Sequence, residues 1–133
     1  MTSIESVQFF WEKHPLWTGE SKFEPATMPF FEEHRSVYIN DCFAGFFDLR
    51  FLPPPRPQGQ NMRVLDLGCG IGFWVTEFAM RGLTELEAAD LTEQALRITA
   101  KRLEAYGVKA RLSQQNAEKL QFKPLGCDSQ GLF

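Results

Sequence analysis

Cysteine and histidine are scarce in this chain. Its three cysteines, Cys42, Cys69 and Cys127, are odd in number and far apart. They form no CxxC pair and read as reduced thiols, not as a disulfide framework. The two histidines, His14 and His34, fall in no HExxH pattern, so no metal site is expected. No stretch approaches the roughly 20 apolar residues of a membrane span. The opening Met1-Thr2-Ser3-Ile4-Glu5 lacks the basic-then-apolar order of a signal peptide, which predicts a cytoplasmic chain. There is no basic block and no internal repeat, and the net charge is −3. That balance argues against nucleic acid as the partner. What is present is 133 residues, 44% apolar and 23% charged. This is enough chain for one domain with one core, and too apolar for a disordered one.

The character of the chain changes near residue 53. Residues 1–52 hold 12 of the 18 aromatic residues and are expected to form an aromatic-rich helical segment. Within it, Phe43, Phe46, Phe47 and Phe51 recur at helical spacing, which predicts a helix from about Pro29 to Phe51. Most of these rings are expected in the core. Trp17 and the turn from Pro15 to Gly19 are the leader's best candidates for contributing to a site. Residues 53–62 open with Pro53-Pro54-Pro55-Arg56-Pro57. Proline lacks an amide hydrogen and fixes φ, so this stretch is read as an extended connector.

Strand and helix patterns alternate over residues 63–122. Arg63-Val64-Leu65-Asp66-Leu67 is a short apolar run stopped by glycines, as a buried parallel strand would be. Ile71, Trp74, Val75, Phe78 and Ala79 then mark one face of a helix that Gly82 ends. Leu86 to Asp90 is a second strand. Thr92 is placed to cap a helix running to about Tyr106, with Leu96, Ala100 and Leu103 inward and Gly107 at its end. Val108 to Leu112 alternates apolar and polar, as an edge strand does. The order β-α-β-α-β defines an α/β fold with a Rossmann-like half-sheet of strand order 3-2-1.

The turn after the first strand is Asp66-Leu67-Gly68-Cys69-Gly70-Ile71-Gly72. A dinucleotide loop needs GxGxxG, and the position of its third glycine holds Phe73 here. The GxGxG spacing, with an acid two residues before the first glycine, fits S-adenosylmethionine (SAM) better than NAD. SAM has no pyrophosphate to cradle. It carries an ammonium and a sulfonium, which a carboxylate at a strand end favours. Asp90 closes the second strand, where a carboxylate accepts hydrogen bonds from vicinal ribose hydroxyls. It is also a natural residue for a helix approach. Asn116-Ala117-Glu118 follows the third strand on the ligand side of the sheet. The Asn116 side-chain oxygen is suited to an adenine amine. Cys69 reads as a small buried residue beside the turn, not as a reactive thiol.

These segments resemble a known family. Val64 to Gly72, Ala89-Asp90-Leu91-Thr92 and Asn116 to Phe122 are similar to the SAM-binding half of class I SAM-dependent methyltransferases. Within these they resemble the type 11 group that includes ubiquinone/menaquinone-biosynthesis enzymes. Phe10-Trp11, Pro15 to Gly19 and Phe30 to Glu33 are similar to leaders of bacterial members. The resemblance implies that Asp66, Gly68, Cys69, Gly70 and Gly72 hold the methionine part of SAM. Asp90 would hold the ribose, Leu91 would pack on adenine, and Asn116 and Ala117 would meet the adenine edge. The family more often has Asp at the position of Asn116, which keeps an acceptor but loses a charge.

Family members continue with a fourth apolar strand beside the first. Residues 123–133 diverge from that pattern and contain no strand-like run. The expectation is a C-terminally truncated or frame-shifted chain, or a fragment whose sheet a partner chain completes; the alternative is a short variant whose aromatic N-terminal segment covers the open edge of the first strand. The expected function is SAM-dependent methyl transfer to a small-molecule acceptor. A non-catalytic SAM-binding partner subunit is the alternative, and an NAD-binding Rossmann protein ranks behind it. No catalytic base is assigned, although His14 and His34 are candidates.

Overall fold

The computed structural model describes residues 3–48, 50, 52 and 62–122. Most of the proline-rich connector, Phe51 and the tail from residue 123 lie outside the described residues. Strand β1 (Arg63–Leu67) pairs in parallel with β2 (Glu85–Asp90), and β2 pairs in parallel with β3 (Arg111–Gln114). The sheet order β1-β2-β3 is the expected 3-2-1 read from the other edge. The central strand β2 buries four consecutive residues, Leu86, Glu87, Ala88 and Ala89, as a strand covered on both faces must. The register sets Asp66 against Ala88 and Asp90 against Gln114. The carboxyl ends of all three strands therefore share one edge of the sheet.

Helices α3 (Phe73–Met80) and α4 (Glu93–Ala105) make the two crossovers. Val75, Ala79, Leu83, Leu86, Ala88 and Leu103 form a core between helices and sheet. Thr92 caps α4, its hydroxyl accepting from the Ala95 amide at 3.3 Å. The inward face of α4 is turned relative to the sequence expectation. Leu103 is buried and Leu96 half-buried, but Ala100 is exposed, and Ala95, Ile98, Thr99 and Arg102 lie inside. Helix α3 is buried on more than one face, with Phe73, Thr76 and Glu77 inside beside Val75 and Ala79. Strand β3 starts at Arg111 instead of Val108. The Val108 amide is used to finish α4, donating to the Leu103 carbonyl at 3.0 Å.

The aromatic residues of the leader divide between two helices. Helix α1 (Ile4–Lys13) buries none of its residues. Helix α2 (Met28–Phe43) buries Phe30, Phe31 and His34. It ends at Phe43, short of Phe51, because Ala44 and Gly45 turn left-handed and the Gly45 amide closes on the Ile39 carbonyl. Phe46 is left exposed, while Phe47 folds back onto Phe43, Phe73 and Trp74. Phe30 and Phe31 pack with Ile71 and Ile98, which fixes α2 against the glycine turn and α4.

A buried cation sits in this second core. Arg102 is 1% exposed and its guanidinium lies over the rings of Phe31 and Phe73. It donates to His34 Nδ1 at 3.1 Å and to the Ile71 carbonyl at 3.5 Å. An arginine only donates, so His34 must accept and be neutral. Burial, and then the Arg102 charge, lower the His34 pKa from 6.5 to about 4. A folded pKa below the unfolded one means that His34 adds stability fully present above pH 6.5 and lost as pH falls toward 4. The loss reaches about 3 kcal/mol. Urea titrations between pH 7 and pH 4 are expected to give a steeper loss of stability for the natural chain than for His34→Gln. The His34 ring resonance should stay in its neutral position down to about pH 5.

Gly72 is the residue that the packing of the turn constrains most. Its φ is +83°, and a Cβ there would stand 2.8 Å from Thr99 Cγ2 of α4. Both the backbone sign and the contact exclude a side chain. Gly72→Ala is expected to cost about 2–4 kcal/mol, read as a lowered midpoint in thermal unfolding.

Candidate functional site

A cleft of about 480 Å³ opens at the carboxyl ends of the strands. Its floor is the glycine turn and the end of β2. Gly68, Gly70, Asp90, Leu91, Asn116 and Ala117 all line it. Asp66, Cys69 and Gly72 do not; they lie behind it. The opposite wall comes from α1 and the residues after it, through Ile4, Val7, Trp11, Pro15 and Leu16. Sequence reasoning singled out Pro15 and Leu16 as part of a turn but missed the three helical residues. Their spacing of three and four was the available signal. Trp17 turns away from the cleft. Its φ is +70°, and its ring packs against His34 at 5.7 Å. Neither histidine lines the cleft. His34 is in the buried core, and His14 stacks on Phe10 at 4.8 Å.

Asp90 organises the site. One carboxylate oxygen accepts from the Gly70 amide at 2.9 Å. The other accepts from the Thr92 amide at 3.0 Å and the Thr92 hydroxyl at 3.1 Å. Three further amides of the turn are also engaged. Gly68 and Cys69 donate to the Ala89 carbonyl at 2.8 and 3.0 Å, and Gly72 donates to the Cys69 carbonyl at 2.9 Å. From behind, the Thr99 hydroxyl donates to the Gly70 carbonyl at 2.8 Å. The turn is therefore a preformed surface whose amides at 68, 69, 70 and 72 are spent inside the protein.

Asp66 holds α3 in place, one oxygen accepting from the Val75 amide at 3.1 Å. Burial, reinforced by the Asp90 charge, raises its pKa against the opposing pull of that amide. The Asn116 side-chain oxygen accepts from the Glu118 amide at 2.9 Å, which folds the loop into an Asx turn and leaves a second lone pair. Gln8 of α1 and Gln114 of β3 both donate to the Leu91 carbonyl, at 3.2 and 3.0 Å. Asp90 and Glu118 are the charged residues among the described residues lining the cleft. The surface is otherwise mostly apolar, and both charges are negative.

A parallel half-sheet thus brings a glycine turn after the first strand, an acid ending the second and an Asx turn after the third to one cleft. Residues 64–129, just under half of the chain, match the family model described as "Methyltransferase domain". A solved structure described as "Conversion of a Disulfide Bond into a Thioacetal Group during Echinomycin Biosynthesis" is also similar, at 23% identity and a TM-score of 0.41. The match covers 65% of this chain and 40% of that one, so this chain spans well under two thirds of that neighbour's length. No curated protein matches the chain.

Burial raises the Cys69 thiol to about 12, against a smaller opposing effect from its contact with Thr99. Reactivity follows the thiolate, so Cys69 is inert at neutral pH. Brief alkylation with iodoacetamide at pH 8 is expected to label exposed Cys42 and spare Cys69. Peptide mapping by mass spectrometry reads the outcome, and labelling of both residues in urea is the control.

Proposed function

We propose that the cleft binds SAM and that the chain serves methyl transfer to a small-molecule acceptor. One observation carries this reading: the charged side chains at the cleft are carboxylates, and the turn's amides at residues 68, 69, 70 and 72 are already committed. A pyrophosphate needs free amides or cations, and this surface offers it neither at residues 68, 69, 70 and 72. A ligand with positive charge and a neutral sugar fits what remains. The methyltransferase family match supports the same donor.

In this reading Asp90 accepts the two ribose hydroxyls while keeping the Gly70 and Thr92 amides: of about four lone-pair sites the amides hold two, and the second ribose hydroxyl takes the place of the Thr92 hydroxyl. Leu91 packs on the adenine. Asn116 presents its second lone pair to the exocyclic amine, and Ala117 its backbone. Gly68 and Gly70 let the chain approach the methionine part, with Cys69 and Gly72 shaping the turn behind them. The negative field of Asp66 and Asp90 favours the ammonium and sulfonium. SAM, when bound, supplies a methyl group already activated on positive sulfur. The protein's contribution is alignment and exclusion of water, a proximity effect. Trp11 and Leu16 give the cleft an apolar side suited to that exclusion.

Isothermal titration of the full chain tests the reading. SAM is expected to bind and NAD to bind far more weakly or not at all. Asp90→Ala should weaken SAM binding about 10- to 100-fold, the worth of hydrogen bonds to a charged acceptor. Equal binding of SAM by Asp90→Ala, or preference for NAD, would overturn it.

A further inference from the structure

Helix α1 covers the cleft without being packed into the fold. None of its residues is buried, yet Ile4, Val7 and Trp11 face the ligand space. Its attachments to α4 and to the end of β2 are polar. Both oxygens of Glu12 reach the first turn of α4, accepting from the Glu93 amide at 2.8 Å and the Gln94 amide at 2.9 Å. These are two of the four amides a helix start leaves without an internal partner, and the helix dipole there favours a carboxylate. Gln8 adds its bond to the Leu91 carbonyl at 3.2 Å. The same short stretch, Asp90 to Gln94, thus carries Asp90 and Leu91 toward the ligand and holds α1 from the other side.

We infer that Glu12 is a positioning residue for donor binding: its carboxylate, clamped on the start of α4, holds α1 as a hinged wall over the cleft. This rests on the reading of the cleft as a SAM site. The wall docks through a side chain at its C-terminal end and a glutamine near its middle, with no buried apolar anchor to resist opening. Ligand can enter when these bonds release. When they re-form, Trp11, Val7 and Ile4 are set against the ligand and water is displaced.

The test uses the full chain, with SAM as the probe and tryptophan fluorescence and titration calorimetry as readouts. Glu12→Ala is expected to weaken SAM binding about tenfold, as loss of a charge-assisted pair would, through a faster dissociation rate. The thermal midpoint should fall only slightly, by the loss of a capping contact on α4, because α1 itself buries no residue. Glu12→Gln, which keeps one acceptor oxygen, should recover part of the affinity, and it serves in place of the alanine variant should that chain fail to fold. Unchanged SAM affinity and dissociation rate in both variants would overturn the clamp while leaving the SAM site standing. Failure of the natural chain to bind SAM would remove the site itself and the clamp with it.

Discussion

The carboxylate of Asp90 is the constraint on which the site depends. Through Gly70 it ties the glycine turn to the end of β2, and through Thr92 it ties β2 to the start of α4. Three elements from separate parts of the chain are thereby locked at one edge of the sheet. The turn gains its shape from this arrangement as much as from its glycines. With the Ala89 carbonyl taking two further amides, the loop has few unsatisfied donors, and its chemistry is set by shape and negative field. A half-sheet alone would give a crevice. Asp90 makes that crevice a defined surface.

The second organising feature is the aromatic and cationic contact between α2 and the back of the turn. Phe30 and Phe31 pack with Ile71 and Ile98, and Arg102 reaches both the Ile71 carbonyl and His34. A buried arginine is costly without partners. Here two ring faces and two acceptors offset part of that cost while the buried Nε has no hydrogen-bond partner, and nearby Glu77 is paired with Arg35. The leader is thus divided by physics. Helix α2 is fixed by rings and by an enclosed charge, whereas α1 is held by side-chain hydrogen bonds at the rim.

Much of this was legible in the sequence because it depends on short-range rules. The β1 run, the glycine turn, the Thr92 cap and Asp90 at a strand end are each encoded within a few residues. The places where the pattern misled are those where tertiary packing or a local hydrogen bond overrode it. Phe46, Phe47 and Phe51 kept helical spacing past Phe43, but Ala44 and Gly45 turn the chain left-handed. Val108 alternates like a strand residue, but its amide is drawn into finishing α4. Ala100 lies on the apolar stripe, yet α4 turns Arg102 inward instead, because the rings of α2 give the guanidinium a place that no local pattern announces. The α1 wall was missed for the same reason. Its polar clamp joins residues some eighty positions apart.

Thr99 carries a further consequence for how the sequence can change. Its hydroxyl holds the Gly70 carbonyl while its methyl group fills the space beside Gly72. Trimming it to make room for a larger residue at 72 would sever the bond to 70. Enlarging it would press on the backbone at 72. The two positions are therefore bound together as a pair with almost no joint freedom, and the turn can drift during evolution only by replacing its support from α4 altogether.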